Sequence, residues 1–180
     1  MSVAEKIVEK LEQLMGPDGL SAEPQRPLRC VEHGPISVEA HALEFDRLGC
    51  SFAELTVRSI EPVEKEPSVK ARAERMADSV TYLMERLALV EIDEASQRAQ
   101  LRSAPPWQAG GAVEYYEAFL SSEMDGTLQV HLARYRQDAG AQRRRSVPLN
   151  LTREVLQRLL DDLAEVVSPA MAEGPSSLGH

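Results

Sequence analysis

The four histidines are the first residues to examine for chemistry, because histidine is the commonest acid-base residue and metal ligand. They are His33, His41, His131 and His180. His41 lies two residues after Glu39, and a strand would place both side chains on one face. Two readings stay open for this pair: part of a metal site or, as we favour, a polar sheet face in contact with water. No third ligand lies near them in the sequence, so we predict neither a metal ion nor a cofactor.

The surroundings of His131 follow from a predicted β-hairpin. Asp125-Gly126 is a strong signal for a two-residue turn, and such a turn determines which residues of the two strands lie opposite each other. The pairs that result combine apolar, charged and aromatic residues, as favourable cross-strand pairs do. They are Met124 with Thr127, Phe119 with Leu132, Glu117 with Arg134, and Tyr116 with Tyr135.

This register places His131 on a sheet face with two alanines and two tyrosines. Small alanines beside aromatic side chains favour a shallow groove. The face either packs against a helix in the ordinary way, which we favour, or binds a partner's apolar side chain or a small ligand. In the second case the candidate binding residues are Tyr116, His131 and Tyr135.

Trp107 is the only tryptophan, and it lies in a segment rich in proline and glycine, residues 105–111. A single large aromatic residue there either closes the end of the sheet, which we favour, or contacts a partner. The neighbouring Gly110-Gly111 is far more typical of a loop that needs positive φ than of a phosphate site.

Arg143, Arg144 and Arg145 form the basic cluster of the chain. Such a row suits carboxylates or phosphates. We favour two other roles for it, which are to deter edge-to-edge aggregation and to pair with acidic groups of the same protein. The run from Arg143 to Leu149 is predicted to be a last strand, which either lies at an edge or ends at Pro148, because Pro148 lacks a backbone N–H.

Composition excludes several classes of function. With 29 acidic and 20 basic residues the formal net charge is -9, which repels a nucleic-acid backbone at long range. We predict no nucleic-acid partner, no membrane span and a cytoplasmic location, because no apolar run is long enough to cross a bilayer and the first residues are acidic. Cys30 and Cys50 have no metal-ligand spacing.

Three segments have the apolar spacing of amphipathic helices. Each follows a residue whose side chain can cap a helix, and the first of these, Ser2, forms a capping box with Glu5. The other two cap residues are Ser68 and Thr152. The predicted apolar stripes are Val3 to Leu14, Val69 to Leu87, and Leu156 to Val167.

Alternating apolar and polar segments between these helices predict strands. The predicted order is α-βββ-α-ββ-ββ-β-α. It indicates an α+β fold with three amphipathic helices and a single antiparallel sheet, flat or curved, of about 7–8 strands. We expect residues 1–167 to form one globular domain and residues 168–180 to be a disordered C-terminal tail.

The element order resembles that of the chaperones of type III secretion systems. Those proteins are acidic cytosolic homodimers whose fold runs helix, three strands, helix, two strands, helix. The resemblance rests on element order, and the present chain has an additional hairpin. It implies a protein partner and self-association.

The sequence favours a non-enzymatic protein-protein interaction module, self-associating through a helix face or an edge strand, over an enzyme. A chaperone-like protein is the more specific form. The alternative is a small-ligand-binding protein or enzyme that uses the concave sheet face around Tyr116, His131 and Tyr135, with Glu117 as a further polar group.

Overall fold

A computed structural model describes residues 1–15 and 28–169 of the chain. The helices are α1 (Val3–Leu14), α2 (Val69–Ser79) and α3 (Arg153–Val167). The strands are β1 (Leu28–His33), β2 (Ile36–Phe45), β3 (Gly49–Ser59), β4 (Leu87–Asp93), β5 (Arg98–Ser103), β6 (Trp107–Ala109), β7 (Ala112–Ser122), β8 (Leu128–Asp138), β9 (Arg145–Val147) and β10 (Leu149–Thr152). Residues 170–180 of the predicted tail lie outside the described part.

The strands form one antiparallel sheet in the order β1-β2-β3-β8-β7-β5-β4. Three short strands join it at the sides, since β6 pairs with β7, β9 with β8, and β10 with β3. The helices pack against one face: α1 contacts β1 and α3, α3 contacts β3, and α2 contacts β4 and β5. The predicted α+β class, with three helices and a single antiparallel sheet in this order, is confirmed.

The helices begin where their capping residues predict. The side chains of Ser2, Ser68 and Thr152 each accept a hydrogen bond from a backbone N–H in the first turn. Apolar residues of α1 and α3 are buried in one continuous core that extends to the inner face of the sheet. Within the described residues, no helix has the length and hydropathy of a membrane span.

Helix α2 is shorter than its apolar stripe. The stripe predicts a helix as far as Leu87, but α2 ends at Ser79, and Leu87 begins β4. Val80 and Leu83 are still buried after the helix has ended. Apolar spacing shows which residues enter the core, and here an irregular segment buries them without helical hydrogen bonds.

The predicted register of β7 and β8 is wrong by one residue. Tyr115, not Tyr116, lies opposite Tyr135, and Phe119 lies opposite His131. The cause is the turn, because Glu123 pairs with Thr127 and three residues, 124–126, make the loop. Gly126 closes it at φ +85°, the left-handed conformation typical of three-residue hairpin loops. A one-residue shift moves every side chain to the opposite face.

The segment from Arg143 to Leu149 is not one strand, because β9 ends at Val147, directly before Pro148, as one of the two predicted readings has it. Strand β9 pairs with β8, and β10 pairs with β3. Pro148 lies between them, where the chain changes partner and no N–H is needed. The two short strands fill the space in which β3 and β8 no longer pair with each other, since their ladder covers only Glu54 to Arg58 of β3.

The register predicts which pair of cysteines can form a disulfide. The first double variant, made in a Cys30→Ser background, replaces the opposite residues Phe119 and His131 with cysteine and should form a disulfide readily. Directly opposite residues have Cα atoms about 4.5–5.5 Å apart, which is within disulfide range. The matched pair Phe119→Cys with Leu132→Cys should stay reduced, because its side chains lie on opposite faces. Mass spectrometry after mild oxidation measures both, and a disulfide in the second pair alone would refute the observed register.

Candidate functional site

The sheet face opposite the helices, called the outer face below, carries the polar residues of the central strands. The inner face is mostly apolar and buried. Along β3, β8, β7 and β5 the side chains alternate between these faces. The outer-face residues that matter here are Glu54, Thr56, Arg98, Gln100, Arg102, Tyr115, Glu117, Phe119, His131 and Tyr135.

His131 lies on this outer face in a hydrogen-bonded cluster. Its Nδ1 is 3.0 Å from Thr56 Oγ1, and its Nε2 is 3.4 Å from one oxygen of Glu54. The other oxygen of Glu54 is 3.5 Å from His41 Nδ1, so one carboxylate lies between two imidazoles. Within the described residues, no group of three or more His, Cys, Asp and Glu is placed to hold a metal ion.

Tyr116 does not share the face of His131. It lies on the inner face and is 2% exposed, and burial raises the pKa of its hydroxyl. Ala118 is likewise fully buried on the inner face. The predicted groove of alanines and tyrosines is therefore not formed, because the one-residue shift in register separates Tyr116 from His131 and Tyr135.

A shallow depression of about 360 Å³ adjoins His131 on the outer face. The Arg98 guanidinium lies 4.0 Å above the Phe119 ring at its side. The remaining lining residues are Ser121, Glu123 and Gln129. The depression therefore offers hydrogen-bond donors and acceptors around one aromatic ring.

Glu117 is the centre of a second cluster on the outer face. Its side chain is 1% exposed, although no helix covers this face. Arg144 donates to both carboxylate oxygens at 2.8 Å. Arg102 at 2.7 Å and Gln100 at 2.9 Å donate to one of them. A buried carboxylate with four hydrogen bonds and two guanidinium partners is fully compensated.

Two tyrosines surround this cluster. The Arg144 guanidinium lies 3.7 Å above the Tyr135 ring, and the Arg102 guanidinium lies 4.9 Å from the Tyr115 ring centre. Arg144 therefore covers both Glu117 and Tyr135. Tyr135, a candidate binding residue in the less favoured of the two sequence readings, lies under a side chain of its own protein.

The protonation of Glu117 follows from these contacts. Burial acts to raise the carboxyl's pKa, but the hydrogen bonds from Arg144 and Arg102 outweigh it, so the pKa of Glu117 lies below its ordinary value. The same contact with Glu117 raises the pKa of Arg144. The group remains ionised at neutral pH and acts as a structural anion, not as a proton donor.

A further ion cluster lies on the inner face of the same strands, and its centre is a cation where the outer cluster has an anion. Arg134, a buried cation, donates to both oxygens of Glu85 at 2.9 Å and lies 3.5 Å from Glu114. Its guanidinium lies 4.4 Å above the Tyr116 ring. The predicted pairing of Glu117 with Arg134 is wrong for the reason given above, since the two residues lie on opposite faces.

Two exposed apolar residues are next to members of this inner cluster. Met84 directly precedes Glu85 in the chain, and Trp107 pairs with Glu114 across β6 and β7, so each is next to an acidic partner of Arg134. Met84 is 69% exposed and Trp107 is 47% exposed. The pair is called the Met84–Trp107 corner below. This exposure of Trp107 does not fit the favoured expectation that Trp107 closes the end of the sheet.

The three arginines of the basic cluster have different surroundings. Arg144 binds Glu117, Arg145 lies 3.5 Å from Asp138, and Arg143 is exposed. Two of the three therefore pair with acidic groups of the same chain, as favoured from the sequence.

The sequence patterns did not predict that Met84 is exposed or that Glu117 is the centre of an ion cluster. The apolar stripe predicted for α2 leaves open whether Leu83 or Met84 is buried, and the structure buries Leu83. The signal for Glu117 is a lone carboxylate within a strand of aromatic and small residues, Tyr115 to Phe119, since a charge in such a strand needs a partner.

Three comparisons with known proteins find no match, whether with family models, with curated proteins or with solved structures. The function therefore has to be inferred from the side chains described above.

Glu117→Gln should destabilise the protein at neutral pH by about 2 kcal/mol, because two charge-assisted contacts are lost while the arginines can still reach water. A lowered pKa stabilises the folded state above the ordinary carboxyl pKa and loses that effect as the pH falls through the lowered value. The difference between wild type and variant should therefore shrink in acid.

Urea unfolding at pH 7 and at pH 3 measures this difference. Glu91→Gln, an exposed carboxylate on β4, is the control and should change the free energy of unfolding by less than about 0.5 kcal/mol at both values. A Glu117→Gln difference that grew in acid would contradict the assignment.

Proposed function

We propose that the protein is a non-enzymatic protein-protein interaction module that self-associates as a homodimer through the Met84–Trp107 corner. The observation that carries the proposal is the exposure of these two side chains beside a buried ion cluster. Trp and Met are among the residues enriched at protein interfaces, and tryptophan is the residue type most often found in interface hot spots.

The surroundings of the corner support this proposal. The Arg134, Glu85 and Glu114 cluster fixes the backbone on both sides, so little conformational entropy is lost when a partner binds. Edge strand β4 continues from the corner, and its Val90 is also exposed. A bulge at Val90 interrupts the ladder with β5, which disfavours simple strand addition. Side chains, more than backbone pairing, would provide the contact.

A chaperone-like protein that binds an aggregation-prone client is the more specific form of this proposal. The element order and the net charge of -9 agree with it. In that form the Met84–Trp107 corner serves either the second copy or the client.

Replacing both residues of the corner, Met84→Ser with Trp107→Ser, should convert a dimer into a monomer at tens of micromolar, because the apolar surface buried between copies is lost. Light scattering coupled to size-exclusion chromatography measures the mass. In the wild type, fluorescence of the single tryptophan should shift to the blue as the protein concentration rises.

The control is Leu48→Ser, an equally simple loss of exposed apolar surface in the turn between β2 and β3, where Leu48 is 84% exposed. This variant should remain a dimer. A wild type that is strictly monomeric, or a dimer unaffected by the double substitution, contradicts self-association through this corner.

A second candidate is a small-ligand site at the depression beside His131, favoured by the exposed imidazole and the Phe119 ring. His131 is about a third exposed, with its side chain at 32%, and it lies on a polar face. His131→Ala should therefore change the free energy of unfolding by less than about 0.5 kcal/mol. A loss of several kcal/mol in urea unfolding would make His131 structural and remove this candidate.

A further inference from the structure

A second cavity among the described residues has a lining that shares no residue with the outer-face depression. It is a cleft of about 550 Å³ between the connector that precedes α2, the first turn of α2 and the turn between β4 and β5. Its volume lies within the range of small-molecule sites. The apolar lining includes Val63, Val69, Ile92 and Leu128.

Helix α2 begins at this cleft without an acidic residue. Its first turn contains Lys70 and no acid, whereas α1 and α3 have Glu5 and Glu154 there. The Ser68 hydroxyl accepts from the N–H of Ala71 at 3.2 Å. The N–H groups of Val69 and Lys70 have no intrahelical acceptor, since they belong to the first turn. A helix start of this kind favours an anion.

Arg72 provides an independent indication. It lines the cleft and is 0% exposed. Its Nε donates to the carbonyl of Pro67 at 3.0 Å, and its Nη1 donates to the carbonyls of Val166 and Ser168 at 2.7 and 2.9 Å. Its Nη2 is buried and has no hydrogen-bond partner in the described ranges.

Arg72 also has no carboxylate partner within residues 1–15 and 28–169. Its hydrogen-bond acceptors are neutral carbonyls, and burial lowers its pKa without a carboxylate that would raise it. A buried cation normally has an anionic partner. Arg134 has two glutamates beside it, whereas Arg72 has no carboxylate beside it among the described residues.

The rim of the cleft limits the charge of a ligand. Three exposed glutamates and two exposed lysines line it, so the rim is not basic and repels a multiply charged group. A single negative charge can still lie at the helix start, and an apolar chain can cover the valine, isoleucine and leucine surface. The glutamates are Glu64, Glu66 and Glu94, and the lysines are Lys65 and Lys70.

We propose that this cleft binds a small amphiphilic monocarboxylate, with the carboxylate at the first turn of α2 beside Arg72 and the aliphatic chain against Val63, Ile92 and Leu128. The N–H groups of Val69 and Lys70 and the Lys70 ammonium orient the carboxylate. The site shares no residue with the Met84–Trp107 corner, so a failure of one proposal would leave the other untouched.

The test uses three probes that separate charge from chain. Octanoate has both, octanamide has the chain without the charge, and acetate has the charge without the chain. In amide NMR titrations of the full chain, octanoate should shift Val69 and Lys70 and the side-chain Nε–H of Arg72 in a saturable way. Octanamide and acetate should each bind at least about tenfold more weakly, because each lacks one set of contacts.

Lys70→Glu should weaken octanoate binding by about tenfold, since it reverses a charge next to the carboxylate. Lys70 is exposed, so folding should be unaffected. Lys6→Glu on α1 is the matched control and should leave the affinity unchanged. Equal binding of octanoate and octanamide, saturable shifts at other residues only, or no saturable shift for octanoate would each overturn the proposal.

Discussion

The antiparallel ladder between β7 and β8 is the constraint on which the rest of the structure depends. It runs from Ala112 opposite Asp138 to Ser122 opposite Leu128 at the centre of the sheet, and every neighbouring strand aligns against it. Its register is set by a three-residue loop that ends at Gly126. Because side chains alternate between faces, the loop length decides which charges and rings meet on each face.

The consequence is a pair of ion clusters back to back on two adjacent strands. Glu117 on the outer face binds two arginines, and Arg134 on the inner face binds two glutamates. Each charge is buried and costs free energy unless it is paired. The partners come from β5, from the segment that precedes β4 and from the segment that precedes β9, so these clusters hold distant parts of the chain to the central hairpin and specify one arrangement.

The turn that sets the register also supports the cleft. The carbonyl of Gly126 accepts a hydrogen bond from the N–H of Val63 at 2.9 Å, and Pro62 lies against Gly126, where a Cβ would meet it at 3.2 Å. The connector before α2 is therefore anchored to the β7–β8 hairpin. The proposed carboxylate site and the outer face depend on the same local conformation.

Local chemistry determined much of this protein from the sequence alone. The three caps, the apolar stripes of α1 and α3 and the antiparallel class follow from hydrogen bonding and periodicity within a few residues, and all of them are present. The end of α2, the register of β7 and the surroundings of Glu117 and Arg72 were decided only by the tertiary structure. The physical reason is that a turn one residue longer costs little locally, yet it exchanges the two faces of a strand, and a buried charge selects partners that are distant in the chain.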